Sequence, residues 1–317
     1  MLSSILWILL GFLLLIKGGD YLVDGSVAIA RREKLSSMVI GMTVVGFGTS
    51  APELLVSTNA ALVGSSGIAV GNVVGSNIAN IALILGVTAL FVVCRTDSKT
   101  PKIDMPFMVL ASVLLAAVGM TGTISRVAGI VGILMLVAFI VWQIRSSRKD
   151  ALTQKEENPQ EKAPMAVGLA IPVVIISIVA MVFGARFLVN GAREIAFSLG
   201  ISERVIGLTV VAVGTSLPEL FASVISARRG ETDMAIGNII GSVSFNVLCV
   251  VGVSAAISPI HGSDQGFMID YMLMVLLAFL LWLFLATKKT LERWEGGVLL
   301  AIYIAYIVYM VLESKPF

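Results

Sequence analysis

Apolar stretches of roughly twenty residues or more recur along this chain. Short clusters of charge separate them, at Arg31 to Lys34, Arg95 to Asp104, Arg145 to Lys162, Arg228 to Asp233 and Lys288 to Glu295. About twenty apolar residues in a helix span the ~30 Å hydrocarbon layer of a bilayer. The pattern predicts about ten such spans, near residues 4–28, 37–63, 67–93, 104–122, 124–144, 165–190, 203–227, 232–257, 267–287 and 296–313. Polar residues at Asp20, Asp24, Arg186 and Glu194 leave the edges of the first and sixth spans open. The stretch from Met1 to Ile16 lacks a basic leader and a small-residue cleavage site, so it reads as the first span rather than a signal peptide. With 57% hydrophobic and only 13% charged residues, the chain has no polar shell to put around a soluble core of this size. The expected class is an all-α integral membrane protein.

Charge then orients the spans. Lys and Arg favour cytoplasmic loops. The odd-numbered connections hold sixteen of them, at 31, 32, 34, 95, 99, 102, 145, 148, 149, 155, 162, 228, 229, 288, 289 and 293; the other side holds four, at 126, 193, 204 and 315. This split predicts both termini outside a cell (inner) membrane and the polar segment 145–164 in the cytoplasm, where its composition reads as mobile and solvated. The net charge of +2 carries no nucleic-acid signal, because the basic residues sit between spans. Cys94 and Cys249 are too few for a disulfide framework.

The chain also repeats itself. At an offset of 166 residues, without a gap, 45–86 aligns on 211–252 with seventeen of 42 positions identical. Shared membrane composition does not account for GTSxPEL followed at one fixed distance by GNxxGS, twice. Five spans per half is an odd number, so the second half enters the membrane from the opposite face. The expected architecture is two inverted five-helix repeats, 1–144 and 165–317, joined by the linker 145–164. Inverted repeats with interrupted helices place a transported solute at the midplane where the halves meet.

The repeated residues carry the chemistry. Thr49 and Glu53 share a helix face with Ser50 beside them, and Thr215, Ser216 and Glu219 repeat the set. Pro52 and Pro218 have no N–H to donate, so the carbonyls of Gly48 and Gly214 lose their helical partners. Such breaks are tolerated in lipid where they line a cavity. Ser76 with Asn80, and Ser242 with Asn246, add further oxygens on the third and eighth spans, while Gly71, Gly75, Gly237 and Gly241 allow close helix packing. All the candidate ligands are oxygen, which suits hard cations such as Na⁺ and Ca²⁺ and disfavours soft metals. Two carboxylates at mid-membrane cost several kcal/mol and repel each other unless a cation or protons neutralise them. Asp20, Asp24 and Arg186 read as anchors at span edges, and His261 as a solvated loop residue.

GTSAPELLVS with GNVVGSNIAN, and GTSLPELFAS with GNIIGSVSFN, resemble the α1 and α2 repeats of the cation/calcium antiporter superfamily, most closely the prokaryotic sodium/calcium exchangers. The resemblance covers both repeats. It implies electrogenic exchange of several Na⁺ for one Ca²⁺, with spans 1 and 6 sliding as gates. It also implies Thr49, Ser50, Glu53, Ser76, Asn80, Thr215, Ser216, Glu219, Ser242 and Asn246 as ion ligands. Two departures stand out. Asn246 replaces an Asp of potassium-dependent and some prokaryotic members, and Val243 stands opposite Asn77, which argues that this position is not a ligand.

The leading expectation is therefore a Na⁺/Ca²⁺ antiporter. The alternative is an H⁺/Ca²⁺ or other divalent-cation antiporter on the same fold. A passive channel fits the inverted repeat poorly, and no motif supports an enzyme. No cofactor and no obligatory protein partner is implied; the partners are the Na⁺ and Ca²⁺ ions and the lipid bilayer.

Overall fold

A computed structural model of the chain describes residues 2–153, 165–198, 214–261 and 266–313. The apolar stretches fold as α1 (Ser3–Glu33), a bent pair α2a (Ser37–Thr49) and α2b (Ala51–Leu62), α3 (Ser66–Phe91), α4 (Thr100–Gly119), α5 (Arg126–Leu152) and α6 (Gly168–Ser198). After these come α7 (Leu217–Arg228), α8 (Thr232–Ile257), α9 (Met268–Lys288) and α10 (Arg293–Leu312). Eight of these helices are long and apolar enough to cross a membrane, and the bent pair makes a ninth candidate. The seventh expected span, 203–227, is described only in its second half, since 199–213 lie outside the described residues.

Burial sorts the helices into layers. In the apolar stretches of α3 and α8, 78% and 83% of residues are buried, against 17% in α5 and 22% in α10. The outer helices expose Leu9, Leu134, Ile176 and Ile304, as side chains facing lipid do. The central ones carry Val73, Ile81, Ile239 and Val250 into the core.

Two long helices lie across this bundle. At 31 residues each, α1 and α6 reach about 46 Å, longer than the hydrocarbon layer, so they must tilt. They run past the edges expected from hydropathy because Asp20, Asp24 and Glu194 find partners there: Arg229 for the two aspartates and the Ser4 hydroxyl, 2.7 Å away, for Glu194. Their crossing depends on glycine. A Cβ on Gly11 would stand 2.7 Å from the Gly184 carbonyl oxygen, and one on Gly184 would stand 2.9 Å from the Gly11 carbonyl oxygen.

Two short antiparallel ladders tie loops together. Cys94–Arg95 pairs with Thr290–Leu291, and Thr123–Ile124 pairs with Ile260–His261. Adding 166 to Cys94 gives Ile260, and adding it to Ile124 gives Thr290, so the ladders follow the sequence repeat. Burial raises the Cys94 thiol to about 12, which keeps it protonated; Cys94 and Cys249 are both free.

One expectation needs correction. The start of the linker 145–164 is not a solvated coil: the fifth helix continues to Thr153. Arg148 pairs with Glu33 at 2.6 Å, Lys99 pairs with Asp150, and the Ser147 hydroxyl accepts from the Ser36 backbone N–H at 2.9 Å. The segment RSSRKDALT contains no Gly or Pro, so a helix begun in the membrane runs on while its charges find partners on neighbouring loops.

Candidate ion-binding site

Both helix breaks expected from Pro52 and Pro218 lie at the centre of the molecule. At Ser50 (φ −83°, ψ 7°) the helix stops and restarts as α2b, bent by 48° from α2a. Ser216 (φ −91°, ψ 5°) starts α7 in the same way. Each proline lies at the beginning of its new helix, where a missing N–H costs nothing. The break thus makes a fresh helix N-terminus, whose partial positive charge favours an anion. Glu53 and Glu219 sit in these first turns, which offsets part of the cost of burying two carboxylates that are 0% exposed.

The carboxylates lie close enough for their charges to interact, and the two breaks touch: the Ser50 hydroxyl donates to Glu219 Oε1 at 3.0 Å. Thr215 faces Glu53 in the same way, without closing a hydrogen bond of good geometry. Nine of the ten expected ligand residues are buried around this point: Thr49, Ser50, Glu53, Ser76, Asn80, Ser216, Glu219, Ser242 and Asn246. Thr215 is half-buried and lines a cavity of about 170 Å³ with Pro52, Leu55, Val189 and Pro218.

The scaffold behind the site is mirrored. Asn72 donates to the Glu53 backbone carbonyl (3.2 Å) and to Ser57 Oγ (2.9 Å); Asn238 donates to the Glu219 carbonyl (3.3 Å) and to Ser223 Oγ (2.9 Å). Each asparagine thus holds a broken helix through the residue that bears its carboxylate. The repeat flags Asn72 and Asn238, but helical spacing gives no sign that they reach across to another helix. Ser242 donates to the Gly46 carbonyl (3.2 Å) and Thr49 to Asn238 Oδ1 (3.3 Å), which clamps α2a on α8. Gly241 makes this approach possible, since a Cβ there would stand 2.3 Å from the Met42 carbonyl oxygen.

Two further features escape a sequence reading. Asn80 lies in a π-helical turn, Ala79–Leu85, and Asn246 opens another, Asn246–Val250. Such turns re-aim side chains and recur at functional sites. Asn77, set aside because its repeat partner is Val243, is fully buried and accepts a hydrogen bond from Asn246 at 3.1 Å.

Among buried carboxylates, the hydrogen-bond accounting separates this centre from the rest of the bundle, although single hydroxyls such as those of Ser26 and Ser254 also lack a partner among the described residues. Other buried carboxylates are satisfied: Asp104 by Gln143, Asp270 by the Tyr306 hydroxyl at 2.9 Å, and Glu295 by the Glu292 backbone N–H at 2.7 Å. At the centre, both Glu53 oxygens, Glu219 Oε2, Ser216 Oγ, Asn246 Oδ1 and both polar atoms of Asn80 have no hydrogen-bond partner among the described residues. Each buried polar atom left so costs about 1–3 kcal/mol. Six of these seven atoms can accept a hydrogen bond or coordinate a cation, the Asn80 amide nitrogen being the exception.

Known proteins share this fold. The sequence pattern of the family described as sodium/calcium exchanger protein matches residues 3–145 and 169–312. A sodium/calcium exchanger, MaX1, from Methanosarcina acetivorans is 32% identical across 97% of this chain and 98% of its own. The inner membrane protein YrbG of Escherichia coli is 35% identical across 95% and 94%. The structure of the sodium-calcium exchanger NCX_Mj soaked with 10 mM Na⁺ superposes with a TM-score of 0.84 and 34% identity, covering 97% of this chain and 98% of that one. The protein is an integral membrane transporter of the cation/calcium antiporter kind, and the chain belongs to the sodium/calcium exchanger family.

Proposed function

We propose that this protein exchanges Na⁺ for Ca²⁺ across a cell (inner) membrane by alternating access, without enzymatic activity or cofactor. The observation that carries the reading is the cluster of buried oxygens around Glu53 and Glu219 that have no partner among the described residues. Within the cluster, Ser50, Thr49, Ser76, Asn80, Thr215, Ser216, Ser242 and Asn246 complete the ligand set. One Ca²⁺ balances two carboxylates, and so do two Na⁺. Because the ions compete for one pair of charges, binding one displaces the other, and exchange needs no separate coupling device. The bare doubly charged centre repels itself, which opposes passage of an empty carrier and limits leak.

The architecture behind this reading is a pair of inverted five-helix repeats, 1–144 and 165–317, with the linker 145–164 in the cytoplasm and both termini outside. The offset of 166 that aligns the sequences also relates the two helix breaks, the two asparagine braces and the two loop ladders. Helices α1 and α6 cross the bundle as a tilted pair, and they are the elements that move against it. The cavity beside Thr215 supplies an approach from the outer face. On the opposite face, Ile225 packs against Gly19 and Phe221 against Phe12, so that route is shut.

The test uses purified protein in Na⁺-loaded liposomes diluted into Na⁺-free buffer, with radioactive Ca²⁺ uptake as the readout. Uptake that requires internal Na⁺ supports the proposal. Uptake that follows an imposed pH gradient and ignores Na⁺ moves the function to H⁺/Ca²⁺ exchange through the same glutamates.

A further inference from the structure

The reading of Glu53 and Glu219 as the cation site leaves one buried amide without a role. Asn77 lies on α3 beside the site, is fully buried, and has no counterpart in the second repeat, where Val243 stands. Its Nδ2 approaches the thioether sulfur of Met274 on α9 at 3.6 Å, and its Oδ1 accepts from Asn246 Nδ2 at 3.1 Å. The same Asn246 Nδ2 donates to Ser76 Oγ at 3.2 Å. Both donors of Asn246 are thereby engaged, and its Oδ1 is left buried with no protein partner among the described residues.

We infer that Asn77 is a positioning residue that sets Asn246 carbonyl-first toward the bound cation. The reasoning runs through the donor and acceptor inventory. A thioether only accepts, so it fixes which end of the Asn77 amide faces α9. That leaves the Asn77 oxygen facing Asn246, and an oxygen there demands the NH₂ of Asn246. The carbonyl of Asn246 then has a single direction left, into the ligand cluster. Without this chain, the Asn246 amide could turn and present two N–H donors to a cation, which repels where the oxygen attracts. Met274, Asn77 and Asn246 are each fully buried, so no solvent rearrangement competes with the relay. Partners behind a metal ligand that fix its orientation shift metal affinity by roughly tenfold to a hundredfold when removed.

The relay also explains why an amide suits position 246 in this chain. A carboxylate there would turn acceptor against acceptor at Asn77 Oδ1. Asn77 could answer only by flipping its own amide, which sets its oxygen on the Met274 sulfur.

The experiment is a double-substitution cycle with Asn77→Leu, Asn246→Ala and the pair combined. Apparent Ca²⁺ affinity is read as the Ca²⁺-dependent rise in melting temperature of detergent-solubilised protein, and separately as KM and Vmax of Na⁺-driven uptake. Asn77→Leu is expected to weaken Ca²⁺ roughly tenfold with Vmax little changed. The combined variant is expected to be no weaker than Asn246→Ala alone, because Asn77 acts only through that residue. Wild-type affinity in Asn77→Leu, or losses that multiply in the combined variant, overturn the proposal. Should Asn77→Leu not fold, Met274→Leu, which conserves volume, carries the same cycle and is expected to weaken Ca²⁺ by less. Wild-type protein that Ca²⁺ stabilises but that shows no Na⁺-driven uptake overturns the exchange reading and leaves this test standing.

Discussion

The two ends of the sequence repeat meet very different surroundings. At one end, α1 lies against α7: Gly19 receives Ile225, and Arg229 forms ion pairs with both Asp20 (2.7 Å) and Asp24. At the other, α6 and α2b face each other across the cavity of about 170 Å³ that both line. The positions equivalent to Asp20, Asp24 and Arg229 are Arg186, Asn190 and Val63, which cannot form an ion pair with one another. The centre shows the same asymmetry, since Ser50 donates to Glu219 while neither Glu53 oxygen has a hydrogen bond of good geometry among the described residues. Under the alternating-access proposal, two arrangements of the repeats lie at similar energy, and unequal side chains at their ends would decide which one is populated.

Four measurements break or sharpen that contrast. The largest effect is expected from Glu53→Gln and Glu219→Gln. Both should abolish Na⁺-driven Ca²⁺ uptake while the protein still inserts in the membrane, because each removes half of the charge that binds the cation. Near-normal uptake in either variant would remove that glutamate from the site.

Next come the two serines at the helix breaks. Ser50→Ala deletes a hydrogen bond to a carboxylate, an interaction worth about 1.5–3 kcal/mol, so Ca²⁺ affinity should fall roughly tenfold or more. Ser216→Ala removes a hydroxyl with no protein partner among the described residues and should cost less. Equal losses in uptake KM would mean that the asymmetry at the centre has no energetic weight.

Arg229→Gln tests the clip. Two partly exposed ion pairs contribute about 1–2 kcal/mol together, a factor of roughly 5–30 in the balance between the two proposed access states. An Ile225→Cys reporter, in a background without Cys94 and Cys249, should react faster with a membrane-impermeant thiol reagent once Arg229 is changed. High salt should give a weaker version of the same response. Unchanged labelling would show that apolar packing alone holds that end closed.

The smallest effect belongs to the helical extension beyond the membrane. Arg148→Ala removes an exposed pair with Glu33 and should cost about 0–1 kcal/mol of thermal stability, leaving uptake unchanged. A loss of transport would give the α5 extension a part in the cycle that its contacts do not suggest.

Sequence periodicity determined the helical membrane class and most of the helix positions, and the repeated motif pointed to nine residues that lie buried around the centre. They could do so because lipid leaves the backbone few options and because a buried carboxylate beside a proline is costly unless it is used. The glycine, serine and glutamate motifs are local, and a repeat displays them twice. What only the tertiary structure decided depends on partners far apart in the chain. Asn72 and Asn238 brace helices nineteen residues away, and Arg229 reaches aspartates more than two hundred residues earlier. Asn77, set aside from the repeat alone, gains its role only when α9 brings Met274 beside it and a π-helical turn opens at Asn246. Hydrogen bonds between helices follow from how the helices pack, and packing is not written in the spacing of any one of them.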